Sequence, residues 1–420
     1  MILFRPLYDL GVRAYQLAIS LAAAAGKEKA RRWQQGRRQW AERLQAAVAP
    51  GMPLIWVHAA SLGEFEQGRP VLEGLRSRYP GHKILLTFFS PSGYEVRKDY
   101  PGADYICYLP LDTRRNARRF LDIAQPALVL FIKYEFWYHF LTELHIRKIP
   151  ALLVSGIFRP GQVFFKWYGG PFRRMLQQFT HLFVQNAASL QLLQQLGLKN
   201  ASISGDTRFD RVWALRNEHR DLPLIAQFTQ GKRLIVAGST WPEDEALWAA
   251  YWPEAAPDMG LIIAPHEINA SHIEQVMIQF PQAQRYTQVA AGAALRSNVL
   301  VIDNVGMLSA LYRYALVTFV GGGFGKEGIH NILEPATYGK PVLFGPIFDK
   351  FPEAPALIAA GGAFIVKDVV ELKSRMDSLL QDKAARNAAS TAAAHFVEAG
   401  HGATEKVLVY IAQQPWLKAD

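Results

Sequence analysis

Residues 318–346 read TFVGGGFGKEGIHNILEPATYGKPVLFGP. Thr318, Phe319 and Val320 end a β-branched and aromatic strand, Gly321 to Gly323 strip the turn of side chains, and Asn331 is placed to open a helix. A second apolar run, Pro341 to Phe344, follows at once. Strand, glycine turn, helix and strand in that order build a parallel α/β sheet. Free backbone N–H groups and the positive helix end would face an anion at the turn, so the block is expected to hold a phosphate. It also contains G-x-G-x-x-G at Gly323, Gly325 and Gly328, with Asp349 about twenty residues further on, as in dinucleotide sites. That fingerprint belongs at the first strand-turn of a nucleotide domain, whereas several strands precede it here.

Outward from this block the rhythm is the same. Arg233–Ala237, Gly260–Ala264, Asn298–Ile302, Leu316–Val320 and Pro341–Phe344 read as strands of one series. An earlier series comprises Leu54–Ala59, Lys83–Phe89, Ala127–Ile132, Ala151–Val154, His181–Val184 and Ala201–Ser204, with a helix at Glu64–Arg78. The pattern breaks in a polar stretch around Asp206 to Gly231, containing Arg211, Arg216, Glu218, His219, Arg220 and Asp221. The spacing predicts two Rossmann-like parallel-sheet domains, 46–210 and 231–400, joined by a connection at 211–230. The expected ligand site is a cleft between them, at the carboxyl ends of the strands.

The chain has 420 residues, half of them hydrophobic, which suffices for two cores. A single cysteine, Cys107, excludes an intramolecular disulfide framework and suits a reducing compartment. The eleven histidines are scattered, and neither Cys-x-x-Cys nor His-x-x-x-His occurs, so no metal site is expected. A formal charge of +10 calls for an acidic partner: nucleic acid, anionic lipid or a phosphorylated substrate.

Residues 1–45 favour lipid. Leu3, Leu7, Leu10, Ala14, Leu17 and Leu21 share one helical face, while Arg5, Asp9, Arg13, Gln16 and Ser20 lie on the other. The uncharged run Ala14–Gly26 is shorter than the roughly 20 apolar residues a bilayer requires. It leads into Lys27, Lys29, Arg31, Arg32, Arg37 and Arg38 with Trp33 and Trp40, a composition suited to an anionic membrane surface. The competing readings are a signal peptide, which Asp9 interrupts, and a helix packed on its own domain.

Candidate chemistry lies just past the strands. Ser61-Leu62-Gly63-Glu64 fits both a capping box and a loop presenting a carboxylate, with Gly63 giving a substrate room to approach Glu64. In Lys133-Tyr134-Glu135-Phe136-Trp137, Glu135 suits a pair with Lys133, a basic residue of the other domain or a sugar hydroxyl. Arg208 offers a planar fork to a phosphate or pairs with Asp206 or Asp210. Pro265-His266 and Asn304-Val305-Gly306-Met307 end strands on the same edge as Gly321 and Gly322. Glu334 is placed to accept hydrogen bonds from two ribose hydroxyls, and otherwise is a first-turn glutamate favoured by the helix dipole.

Taken in order, these blocks resemble the 3-deoxy-D-manno-octulosonic acid (Kdo) transferases of lipopolysaccharide assembly. The resemblance is carried by the amphipathic and basic start, by His58 to Glu64, by Glu135-Phe136-Trp137, by Gly205 to Asp210, and by Gly321-Gly322 with Gly328 to Glu334. It implies a GT-B fold whose final helix, 401–420, returns to the first domain. It further implies CMP-Kdo as donor, a lipid A precursor as acceptor, no cofactor, and a place on the cytoplasmic face of the bacterial inner membrane. Glu64 matches the family's general base, and Arg208 stands where a lysine is usual. Pro265, His266, Val305, Gly306, Met307 and Asn331, Ile332, Leu333 and Glu334 match the CMP-binding segments. Three positions depart from the pattern: Lys133 replaces the first acid of Glu-x-Glu-Leu-Trp, His266 an arginine, and Met307 an acid. A nicotinamide-dependent oxidoreductase, from the G-x-G-x-x-G match, and a nucleic-acid-binding protein, from the charge, are the alternative classes. The clustering of basic residues beside an apolar helix speaks against nucleic acid.

Overall fold

The computed structural model describes residues 4–49, 51–218 and 221–417; Leu3, His219 and Arg220 of the patterns above lie outside them. The chain divides into two compact units. Unit 1 takes Met1–Arg211 together with His401–Asp420, and unit 2 takes Val212–Gly400.

Unit 1 is built on a seven-stranded sheet: β1 (Leu54–Ala59), β2 (Lys83–Phe88), β3 (Tyr105–Tyr108), β4 (Leu128–Ile132), β5 (Ala151–Gly156), β6 (His181–Val184) and β7 (Ala201–Ile203). The order is β3-β2-β1-β4-β5-β6-β7, and every pairing is parallel. The strands β1 and β4 are buried along their whole length, because helices cover both faces of a parallel sheet; this is why they read as unbroken apolar runs. The order reverses between β1 and β4. A ligand crevice in such sheets forms at that reversal, outside the carboxyl ends of the two strands.

The helix Ala403–Ala412 belongs to this unit. Asp210 caps it, accepting from the amides of Gly402 (2.5 Å) and Thr404 (2.7 Å) and from the Thr404 hydroxyl. Val407, Leu408 and Ile411 then join the core that contains Val71 and Leu75 of the helix Leu62–Arg78.

The N-terminal helix, Phe4–Ala24, docks through an aromatic and polar face. Phe4 packs edge-on against Tyr138 and Phe172, the Tyr8 hydroxyl donates to buried Asp112 (2.5 Å), and Asp9 meets His139 at 2.6 Å. Leu7, Leu10, Leu17 and Leu21 stay outside, each between 62% and 64% exposed. Both the apolar stripe and the packing on its own domain are therefore present, on opposite sides of one helix. No helix among the described residues is long and apolar enough to cross a membrane.

The basic segment behaves differently from its pattern. Trp33 is buried, and Trp40 packs on Phe120. Arg37 turns inward, donating to the carbonyls of Leu109 (2.9 Å), Trp33 (3.0 Å) and Phe89 (2.7 Å), with its guanidinium 3.8 Å from the Trp33 ring centre. Burial lowers its pKa to about 9. Arg37, Trp33 and Trp40 thus bind the helical start to the sheet instead of facing outward.

Unit 2 repeats the plan with β8 (Arg233–Thr240), β9 (Met259–Pro265), β10 (Gln284–Arg285), β11 (Val299–Val301), β12 (Val317–Val320), β13 (Val342–Phe344) and β14 (Ala363–Ile365), in the order β10-β11-β9-β8-β12-β13-β14. Its reversal lies between β8 and β12, so the glycine block that follows β12 sits at the crevice position. β3, β10 and β14 carry no strand signal that periodicity resolves, being edge pieces of two to four residues. The polar stretch expected as a connection is instead mostly helical, with helices at Thr207–Leu215 and Pro223–Thr229.

Candidate active site

In unit 1 the loops after β1 and β4 meet at the sheet reversal. Glu64 lies in the first turn of the helix Leu62–Arg78, where its Oε2 accepts from the Ser61 amide (3.0 Å) and hydroxyl (3.2 Å). The capping role and a poised carboxylate are therefore the same arrangement. Burial and the negative charge of Glu135 raise the Glu64 pKa, against the opposing pull of His58 and the Ser61 bonds. A side chain at Gly63 would meet nothing within 4 Å, so the approach to Glu64 is open on that side.

Glu135 does not form the expected surface pair. It is 5% exposed, its Oε2 lies 2.9 Å from His58 Nε2, and it accepts from the Trp137 indole at 2.5 Å. The other ring nitrogen of His58 lies 2.8 Å from the Thr87 hydroxyl, whose oxygen also accepts from the Trp56 indole. A buried polar chain thus runs from β2 through β1 to the loop after β4 and fixes the carboxylate beside Glu64. Lys133 takes a left-handed backbone (φ 70°) and points its ammonium at the Tyr134 ring, 5.3 Å from the centre.

Arg208 pairs with Asp206, its Nε and Nη2 both reaching Oδ2 at 2.9 and 2.7 Å. The other oxygen of Asp206 accepts from the Arg208 amide (2.9 Å) and from Gln67 (2.8 Å). Asp210 accepts from the start of the terminal helix. Burial raises the Tyr134 phenol, opposed by Arg159 and Arg208 and reinforced by Glu64, so these charges surround one hydroxyl.

In unit 2 the glycine block is stitched into the protein. The Gly321 amide donates to Gly238 O (2.9 Å), and the Gly322 amide donates to Asp244 Oδ2 (2.8 Å), which also accepts from Trp241 N. The expectation that these amides face an anion is corrected: buried protein acceptors already hold them. Asp244 is fully buried, its Oδ1 lacks a hydrogen-bond partner among the described residues, and burial raises its pKa to about 6. The G-x-G-x-x-G residues close turns on themselves, with Gly325 N donating to Gly322 O and Gly328 N to Gly325 O.

The helix after the block is only five residues, Leu333–Thr337, so Glu334 is its second residue and no full helix dipole stands behind it. Asn331 accepts from the Leu333 amide and donates to Glu334 Oε1, both at 3.1 Å. Ile332 and Leu333 are buried, as is Met307, so their side chains serve the core and only backbone remains for a ligand. Pro265 ends β9, while Val305 is 78% exposed and Gly306 has φ 89°.

His266 stacks on His330 at 4.2 Å and on Trp241 at 5.0 Å, and the Trp241 indole donates to His330 Nε2 (2.9 Å). Burial lowers both imidazoles, His330 to about 4, with His266 adding to the effect there. Neutral flat rings at the sheet reversal suit a nucleobase better than a phosphate. Trp241 was not singled out from the sequence, although an aromatic between strand β8 and Pro242 is a residue at the crevice edge. Among the described residues no cluster of three or more His, Cys, Asp or Glu side chains could hold a metal ion.

Comparison with known proteins bears on this geometry. Residues 38–211, which contain the Glu64, Glu135 and Arg208 constellation, match the family described as 3-deoxy-D-manno-octulosonic-acid transferase (kdotransferase). Over that stretch the chain is similar to the family. The Kdo transferase of Aquifex aeolicus is 28% identical over 78% of this chain and 86% of its own length. That of Haemophilus influenzae is 26% identical over 86% and 87%. Among solved structures, UDP-GlcNAc 2-epimerase from Neisseria meningitidis bound to UDP-GlcNAc superposes with TM-score 0.61 at 14% identity, covering 86% of this chain and all of that one. A putative UDP-N-acetylglucosamine 2-epimerase from Listeria monocytogenes gives 0.59, also at 14%, over 87% of this chain and 99% of that one. At such identity the likeness concerns the fold alone, and this chain has the two Rossmann-like units of the GT-B type.

Proposed function

We propose that the chain is an inverting glycosyltransferase that moves Kdo from CMP-Kdo to a lipid A precursor, working at the cytoplasmic face of the inner membrane. The observation that carries this reading is the Glu64 carboxylate, proton-hungry through burial and the neighbouring Glu135, at the sheet reversal of the segment that matches the Kdo transferase family. Glu64 takes the proton of an acceptor hydroxyl as that oxygen bonds to the anomeric carbon of Kdo. The bond from that carbon to the CMP phosphate breaks, and CMP leaves with the electron pair. His58, Trp137 and Ser61 hold the two carboxylates in place. The Trp241, His266 and His330 rings offer a stacking surface to the cytosine, which accounts for the loss of an arginine at position 266.

The test is incubation with CMP-Kdo and a tetraacylated lipid A precursor, with products resolved by mass. A precursor carrying one or more Kdo units, with matching CMP, is the expected result; no transfer to any lipid acceptor would overturn the reading. Tight binding of NAD without binding of CMP would restore the oxidoreductase alternative.

Membrane attachment rests on the outward leucines of a helix that also carries exposed Arg5 and Arg13. Leu10→Ser with Leu17→Ser alters only exposed positions and should leave thermal unfolding unchanged. Binding to vesicles containing anionic lipid is expected to fall about tenfold or more, since burying each leucine contributes roughly 1.5–3 kcal/mol. Unchanged vesicle flotation would remove this helix from the membrane contact.

A further inference from the structure

Unit 1 contains a cavity of 570 Å³ beside the proposed base, within the range of about 300–1,000 Å³ common for ligand sites. Its walls are chiefly aromatic and aliphatic: Tyr8 from the N-terminal helix, Tyr134, Phe136 and Trp137 from the loop after β4, and Val163 and Phe172 from the segment beyond β5. Glu135 opens onto it, and Tyr134 in its wall senses the charge of Glu64. On the other side of Tyr8 and Trp137 lies a second cavity of 350 Å³, bounded by Val12, Tyr15 and Phe89.

The surroundings indicate what enters. The turn between Val163 and Phe172 holds Lys166, Trp167 and Tyr168 outside, with Trp167 92% and Tyr168 54% exposed. Exposed Trp and Tyr beside Lys are the composition of a membrane interface, where one end of the ring is dry and the other wet. The facing wall is the N-terminal helix, whose Phe4 packs on Phe172 and whose opposite side carries the bare leucines. An apolar cavity bounded by two such elements is entered from a lipid surface. Arg159, an exposed residue lining it, supplies a cation for an anionic headgroup.

We propose that this cavity receives an acyl chain of the lipid acceptor, inserted between the N-terminal helix and the Lys166–Tyr168 turn, with Arg159 meeting the acceptor's phosphate. The proposal rests on the lipid-acceptor reading above and specifies how that acceptor is held. Seating the chain here would bring the headgroup sugar to Glu64 and explain why so dry a cavity adjoins a polar site.

The experiment uses the full chain and a tetraacylated lipid A precursor with a photoreactive diazirine in an acyl chain, the crosslinks being mapped by mass. Crosslinks to 134–137 or 162–175 are expected. In parallel, Val163→Trp fills the cavity from a half-buried wall position. It is expected to raise the KM for the acylated acceptor about tenfold, on the scale of two lost buried methylenes, without changing the KM for CMP-Kdo. Transfer to the deacylated disaccharide should stay at the wild-type rate. Val163→Met, a milder filling, should shift the acceptor KM in the same direction if the Trp variant fails to fold. Crosslinks confined to the Leu7–Leu21 stripe, or an unchanged acceptor KM in a folded variant, would overturn the proposal while leaving Kdo transfer intact. Crosslinking within the cavity by a wild-type protein that transfers nothing would instead support the lipid site and sink the transferase reading.

Discussion

Glu64→Gln is expected to lower kcat by about 10² to 10⁴, the usual contribution of a general base, while CMP binding and thermal unfolding stay close to wild type. The substitution keeps a carbonyl oxygen where Oε2 accepts from the Ser61 amide, so the start of the helix Leu62–Arg78 retains its cap. Glu64→Ala removes the cap as well and should add a stability loss of about 1 kcal/mol. Comparing the two separates chemistry from folding. The pH profile gives a second readout. A base acts only when ionised, and burial with the Glu135 charge raises the pH at which Glu64 gives up its proton. Activity should therefore fall, as pH drops, above the ordinary glutamate value of about 4.3, and that acidic limb should vanish in the Gln variant. Near wild-type turnover of Glu64→Gln would leave Glu64 as a helix cap alone.

Much of this arrangement was legible because it is local. A capping box needs only Ser61 and Glu64, three residues apart, and a buried parallel strand such as β4 shows itself as an unbroken apolar run. What the sequence left open depends on contacts across the chain. His58 and Glu135 are 77 positions apart, so nothing near Glu135 signals that its partner is a histidine on β1 and not Lys133. Arg37 looks like any other member of a basic run, yet the carbonyls of Phe89 and Leu109, just past β2 and β3, and that of Trp33 in its own segment claim its guanidinium. Trp33 and Trp40 are drawn into that packing, and the most exposed aromatics turn out to be Trp167 and Tyr168, in a turn whose pattern gave no warning. Composition counts the aromatics but does not choose which of them face outward, because exposure is decided by what the rest of the unit leaves uncovered.

The glycine block shows the same division, and it leads to the second large expected effect. Gly322→Ala should destabilise unit 2 by about 2–4 kcal/mol and weaken CMP binding at least about tenfold, measured by thermal unfolding and calorimetric titration. Its φ of 90° is poorly tolerated by an L side chain, and a Cβ there would lie 2.4 Å from Gly328 O. Neither side can move away easily: Gly328 N is bonded to Gly325 O, His330 N to Gly321 O, and Gly322 N to Asp244. A shift of Gly328 would carry His330 with it and disturb the stacked rings of His266 and Trp241. Gly325→Ala supplies the contrast, because its Cβ would meet only Gly322 O, at an ordinary 3.6 Å, and should change stability by no more than about 0.5 kcal/mol. Gly325 is the middle glycine of the dinucleotide-like fingerprint, and Gly322 lies outside it. Equal tolerance of both substitutions would mean that the loop after β12 does not shape the nucleotide site, whereas loss of CMP binding on Gly325→Ala alone would return importance to the fingerprint.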